Sequence, residues 1–174
     1  MTPPIAPELN PDRSEPSAGN RYQAGHAALI VGSHLCLLQR ELLPEAGDPV
    51  ELARRLYHAP FVVLAHDTAD DPVFFYANLA AQRLFEMVWA EIVRLPSRYS
   101  AEPLARGERQ RLLDRVAQHG FIDDYAGVRV SASGKRFQVA NARVWNLVEA
   151  AGRVVGQAAA FSDWTPLPSS DQAD

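Results

Sequence analysis

Cysteine is nearly absent from this chain of 174 residues, where Cys36 stands alone. A single thiol cannot close an internal disulfide, and without a second one neither a CxxC redox pair nor a cysteine-based zinc site can form. That usage fits a reducing compartment, and a cytoplasmic location is expected. Lysine is almost as scarce: Lys135 is the only one among 17 basic residues. The bias reads as a habit of the coding genome more than as a phosphate-binding device, although arginine would suit one. Long apolar runs are missing too. None approaches the roughly 18 residues of a membrane-spanning helix, and the N-terminus has no apolar core of signal-peptide type, so no membrane association is expected. Charge of one sign is also lacking in excess. A net charge of −4 with 22% charged residues provides no general electrostatic hold on nucleic acid.

The 47% of hydrophobic residues is enough for one domain with a real core and too little chain for two. Residues 1–21 carry Pro3, Pro4, Pro7, Pro11 and Pro16 among polar residues, a composition expected of a disordered tail. Residues 22–58 read as an N-terminal helical extension. In it Ala24, Ala28, Val31, Leu35, Leu38 and Leu42 recur at spacings of four and three, the stripe of an amphipathic helix that Pro44 ends. Such a stripe packs on its own domain or on a second copy. Val31, Leu35, Leu38 and Leu42 are therefore the candidate dimer contacts. His26 and His34 lack the spacing of a metal pair and read as surface or boundary residues. A second helix opens with Asp48 as N-cap, Pro49 at its first position and Glu51 at the capping-box position, and it turns Val50, Ala53, Leu56 and Tyr57 to one side.

Next come Phe61–Ala65 as a buried strand, a turn at residues 67–72, and Val73–Tyr76 as the returning strand. Asn78 stands where a helix carrying Ala80, Ala81, Leu84 and Phe85 must begin, and serves as its N-cap. Pro96 breaks a short helix, and a longer one with Leu112, Leu113 and Val116 closes at His119-Gly120. The stretch GFIDDYAGVRVSASGKRFQVANARVWNLVEAAGRVVGQAAAF then reads as three strands joined by turns at Ser133-Gly134 and at residues 149–152. Within the middle strand, Phe137 and Val139 favour one face and Ala140, Ala142 and Val144 the other, a conflict that a β-bulge near Ala140 would resolve. Residues 165–174 again read as a disordered tail.

Walker, GxSxG, GxGxxG and HExxH patterns are all missing. The pairs Asp70-Asp71 and Asp123-Asp124 are adjacent in sequence, and adjacent residues of a strand point to opposite faces, which is poor geometry for acid–base work. Neither catalysis nor a metal site is expected. Arg129, Lys135, Arg136, Arg143 and Arg153 face only Glu149 in the three-strand region. They read as charges that blunt the solvent face of a sheet, with an anionic partner as the alternative.

Two strands, several helices, then three strands is the order of the PAS fold: an α+β domain with a five-stranded antiparallel sheet and helices covering one face, here preceded by N-terminal helices. The segments FVVLAHD, VFFYANLAAQRLFE, LPSRYSAEP, RLLDRVAQHGFIDDYAGVRVSASGKRF and VWNLVEAAGRVVGQAAAFSDW resemble the MEKHLA domain family, a PAS-like family. The likeness runs from about Leu56 to Trp164, which places the domain at residues 59–164. It implies a non-catalytic sensory or regulatory module that engages a partner protein or a signal; a small-molecule or cofactor receptor is the alternative. No homeodomain accompanies it, so direct DNA binding is not implied.

A PAS-type sheet encloses a pocket between its concave face and the helices. The polar residues that could face one are Tyr76, Asn78, Asn141, Trp145, Asn146 and Gln157. The competing readings are an N-cap for Asn78, a core aromatic for Trp145, and amides paired with backbone at strand irregularities. The identity of any cofactor stays open. Covalent flavin photochemistry needs a cysteine in the helical part of the core, where there is none. Counted from Ser133-Gly134, Arg129 and Val139 stand where light-sensing relatives place flavin-contacting asparagines. Haem would need an axial histidine on the long core helix, and His119 sits at its very end beside a capping glycine, where it interacts with the helix C-terminus.

Overall fold

The computed structural model describes residues 9–102 and 106–168. Its elements in chain order are α1 (Ala24–Leu38), α2 (Pro49–Tyr57), β1 (Val62–His66), β2 (Phe74–Ala77), α3 (Leu79–Phe85), α4 (Trp89–Ile92), α5 (Arg106–His119), β3 (Phe121–Val130), β4 (Arg136–Val148), β5 (Val154–Phe161) and β6 (Asp163–Pro166). The strands pair antiparallel in the order β2-β1-β5-β4-β3, with β6 alongside β4. This is the expected α+β sheet with one addition. β5 and β6 form a single run interrupted at Ser162: β5 lies beside residues 143–148 of β4 and β6 beside residues 137–140. Residues 165–168, expected as tail, therefore continue the sheet, and the backbone N–H of Leu167 donates to the Arg136 carbonyl at 2.9 Å. The remainder of that tail lies outside the described residues.

The register conflict in β4 is resolved by a bulge. Tyr125 pairs with Ala142 but Gly127 with Val139, so β4 holds one residue more than β3 across that interval. Asn141 absorbs the excess in the left-handed region at φ 53°, a conformation asparagine tolerates better than most residues. As a result Val139, Ala142 and Val144 all line one face. A compensating extra residue sits in β3, where Ile122 pairs with Val144 and Tyr125 with Ala142, which leaves Asp123 and Asp124 exposed on the outside of the bend.

Both faces of the sheet are covered. The side chains of Val144 and Asn146 meet α5, while Trp145 between them meets α1, as the alternation of a strand requires. The N-terminal helices thus form a second layer opposite α3–α5 and do not simply precede the domain. Two N-caps form as read. Asp48 accepts from Val50 N–H at 3.0 Å, and Asn78 accepts from Ala81 N–H at 3.1 Å. Glu51 departs from its capping-box role, its carboxylate being taken by Arg54 and Arg55.

The buried stripe of α1 is rotated by about one residue from the apolar spacing. Ala27, Ile30 and Leu38 are buried together with His26, Ser33 and His34, whereas Leu35 is 48% exposed and Ala28 lies outward. The reason is that polar groups on this face find partners in the sheet, which hydrophobic periodicity cannot register. Ser33 accepts from the Val148 N–H at 2.9 Å, and His34 stacks edge-on against Trp145 at 4.8 Å. The helix also stops at Leu38, short of Pro44, because Gln39 turns left-handed at φ 55°. His26 and His34 are thus core residues and not surface ones. The segment 9–21, read as tail, is tied down as well: Trp89 donates its indole N–H to the Arg13 carbonyl at 2.7 Å, Tyr57 donates to Glu15 at 2.8 Å, and Pro16 is buried. Its prolines lower the entropy lost on ordering, and these few side-chain anchors suffice. Residues 1–8 lie outside the described set.

Candidate functional site

Between the sheet and the helices α3–α5 lies a cavity of about 70 Å³. Leu64, Phe74, Phe85, Leu112, Val144 and Ala159 supply its apolar lining, and His66, Ser97, Ser100, Tyr125, Arg129 and Gln157 its polar groups.

Of the candidate pocket residues, the structure brings only Gln157 to this cavity. Its amide Nε2 donates to Asn146 Oδ1 at 3.2 Å, and Asn146 in turn donates to the Val116 carbonyl of α5 at 3.2 Å. Gln157 Oε1 is buried with no hydrogen-bond partner. An orphaned buried acceptor costs roughly 1–3 kcal/mol, so a group that can donate to it has a place here.

The other candidates are spent elsewhere. Asn78 is fully buried and saturated: it accepts from Val63 N–H (3.0 Å) and Ala81 N–H, and it donates to the carbonyls of Leu56 (3.2 Å) and Phe61 (2.8 Å). It is a staple between α2, β1 and α3, as its N-cap reading implied. Trp145 belongs to the opposite face and donates its indole N–H to the Ile30 carbonyl at 3.1 Å. Asn141 is exposed at the bulge and donates to Asp163 at 3.0 Å. Tyr76 is wholly buried in an aromatic cluster with Trp89, where burial pushes its phenol pKa well up and its hydroxyl has no partner. Among the dimer candidates, Leu38 and Leu42 are consumed by the chain's own core, Val31 is half-buried, and Leu35 alone stays open.

The principal polar residue of the cavity was misassigned by sequence. Arg129, read as part of a solvated basic face, turns inward. Its Nη2 donates to the Tyr125 hydroxyl at 2.6 Å, and its guanidinium stands 5.2 Å from the Tyr125 ring centre. Desolvation lowers its pKa. The phenol reaches it by lying across Gly127, where any Cβ would collide with the Tyr125 hydroxyl. Tyr125, Gly127 and Arg129 thus form one unit at i, i+2 and i+4 on a single strand face. Of the other basic residues of the sheet, Lys135 pairs with Glu86 at 2.8 Å, Arg136 with Glu102, and Arg153 with Glu149 at 3.2 Å. Arg143 contacts His34 at 3.3 Å beside a polar cleft that includes Asn141 and Ser162. The available signal was the one counted from the Ser133-Gly134 turn, which puts Arg129 and Val139 at pocket-facing positions; both do line the cavity.

This cavity does not fit a flavin. The cavity is far below the roughly 300–1,000 Å³ of sites that take drug-sized ligands, and the chain's one cysteine, Cys36, is exposed on α1, the layer across the sheet. A haem axial role for His119 is equally unsupported, since His119 is exposed at the end of α5 and does not line the cavity. Among the described residues no cluster of three or more His, Cys, Asp or Glu could hold a metal ion, and no helix is long and apolar enough to cross a membrane.

A search of curated proteins returns no match. Among solved structures the chain is similar to a PAS domain from Colwellia psychrerythraea, with TM-score 0.58 and 10% identity over 65% of this chain and 93% of that one. It is also similar to a light-oxygen-voltage domain studied with a flavin analogue, with TM-score 0.54 and 16% identity over 70% of this chain and 87% of that one. An RNA-binding light-oxygen-voltage receptor matches with TM-score 0.58 and 22% identity over 71% of this chain but only 36% of its own length. At such identities these likenesses establish the fold. The MEKHLA domain model matches residues 24–166, so it takes in α1 and α2 as well as the sheet and its helices. The match begins well before Leu56 and covers most of the chain: the protein belongs to the MEKHLA domain family and has the PAS fold.

Proposed function

We propose that this protein is a non-catalytic, cytoplasmic sensory module whose signal is a small molecule held between the sheet and α5. The single observation that carries this reading is the buried Oε1 of Gln157, a polar atom without a partner on the wall of a cavity lined by both apolar and polar side chains. Buried polar atoms are almost always paired, and exceptions call for an explanation. A ligand that donates to Gln157 would supply the missing hydrogen bond and fill the space beside it. The route outward is short. Gln157 binds Asn146, and Asn146 binds the backbone of α5, so occupancy bears directly on the seating of that helix. A regulatory protein partner that reads this seating completes the proposal.

The experiment is native mass spectrometry of the purified full chain beside its denatured mass, repeated on Gln157→Leu. The expected result is a non-covalent excess mass on the wild type that is lost from a still-folded Gln157→Leu. A bare native mass for the wild type, or an excess unchanged in the variant, overturns the reading. A second reading, dimerisation through α1, is favoured by one observation, the 48% exposure of Leu35 on the outward side of that helix.

A further inference from the structure

A guanidinium carries five N–H donors and one full charge, and the surroundings of Arg129 account for little of either. The Tyr125 hydroxyl takes one donor at 2.6 Å and the Val128 carbonyl another at a long 3.5 Å. Among the described residues no carboxylate pairs with Arg129, whereas Lys135, Arg136 and Arg153 each have one. The contrast is not a matter of local supply, since Glu86 and Glu102 reach across from outside the sheet to meet their partners. Arg129 faces a cavity in which Leu64, Phe85, Leu112, Val144 and Ala159 outweigh the polar His66, Ser97, Ser100, Tyr125 and Gln157, none of them a carboxylate. A cation in such a place is costly unless something neutralises it.

We infer that the cavity takes a small hydroxycarboxylate, its anionic head on Arg129 and the Tyr125 hydroxyl, its own hydroxyl the donor that Gln157 Oε1 lacks, and its apolar body against Leu112, Val144 and Ala159. The inference rests on the cavity being a ligand site and adds the ligand's chemistry. A carboxylate matches the planar fork of a guanidinium. A phosphate would bring up to about two charges to the one cation that the described residues place here. The size follows from the volume. At ~10–15 Å³ for each water-sized position, about 70 Å³ accommodates on the order of five to seven non-hydrogen atoms. Acids of that size that also carry a donor include glycolate and lactate. Arg143, for which the described residues likewise show no carboxylate, lacks this argument because its Nη1 donates to His34 Nε2 at 3.3 Å and its cleft, where Asn141 and Ser162 join Leu42, Phe61, Ala160 and Phe161, is the more polar of the two.

The test is side-chain NMR of the ¹⁵N-labelled full chain, with the Arg129 Nε–Hε resonance assigned by its loss in Arg129→Met. Glycolate, lactate and 2-hydroxyisobutyrate are titrated against their amides at matched ionic strength. The expected result is a saturable shift of the Arg129 resonance with at least one carboxylate, binding about tenfold or more tightly than its amide, as a charge-assisted hydrogen bond predicts. In Arg129→Met the backbone resonances of Val144 and Ala159 should no longer respond to that carboxylate. The variant should remain folded, with a melting temperature equal to or above that of the wild type, because an unneutralised charge has been removed. The inference is overturned if no carboxylate exceeds its amide, or if Arg129→Met responds like the wild type. A cavity ligand that proves neutral by native mass would overturn the carboxylate and leave the sensory reading standing. A bare native mass combined with saturable carboxylate binding would do the reverse.

Discussion

On the α1 face of the sheet, His34 and Trp145 are buried with their polar atoms engaged; on the α5 face, Gln157 and Arg129 are held with theirs partly unengaged. The His34 ring is closed in on every side: its Nδ1–H donates to the Arg40 carbonyl at 2.9 Å, Nε2 accepts from Arg143 at 3.3 Å, and Trp145 lies edge-on against it. Gln157 lacks a partner for Oε1, and Arg129 lacks a counter-charge. The two faces share one backbone, one twist and one set of strands. Satisfied buried polar groups fix a unique packing, while unsatisfied ones cost stability that only another molecule can restore. His26 Nδ1 on α1 and the Tyr76 hydroxyl also lack partners, but neither residue lines the cavity, so the contrast holds between His34 and Trp145, which do not line it, and Gln157 and Arg129, which open on a space a ligand could fill.

Breaking the scaffold should produce the largest effect. Asn78→Ala removes four hydrogen bonds to buried backbone groups at the junction of α2, β1 and α3 and is expected to destabilise the fold by about 3–5 kcal/mol in urea unfolding. A loss below about 1 kcal/mol would show that the junction is not saturated as described.

Acid should act next, through His34. Burial holds its pKa down at about 4, against 6.5 for the free side chain. Between those values the unfolded chain binds a proton that the folded chain refuses. Stability from this group is therefore fully present above pH 6.5, falls as pH drops toward 4, and levels off below. The shift corresponds to about 3 kcal/mol. Urea unfolding at pH 7 and at pH 4.5 should show that loss in the wild type, and His34→Phe should show a distinctly smaller one. Equal pH slopes in both proteins would place the acid sensitivity elsewhere.

The smallest effect belongs to the outward side of α1. Leu35→Glu lies in solvent and should change stability by less than about 0.5 kcal/mol. If α1 is a dimer contact, the same variant halves the mass measured by light scattering. An unchanged mass would leave the α1 layer as scaffold alone.

Much of the fold could be read in the residues. The succession of strands and helices, the caps at Asp48 and Asn78, the termination at Gly120 and the bulge in β4 all follow from local chemistry. Alternation, helix spacing and turn residues act over a few positions, and the sheet had only to respect them. The site was less legible. Arg129 sits in the same alternating run as Val128 and Val130, and apart from its count from the Ser133-Gly134 turn nothing near it in sequence distinguishes it from Arg136. What separates them is that Glu102 from another part of the chain meets Arg136 and that, among the described residues, no acid meets Arg129. His34 and Ser33 were hidden in the same way, because α1 rotates to offer them to Trp145 and Val148, partners more than a hundred positions away.

Periodicity could say which residues share a face, since that depends only on the backbone's own repeat. Whether a polar side chain on that face is matched or left wanting depends on what distant segments bring to it. That question was decided by packing alone, and in this protein it divides structure from function.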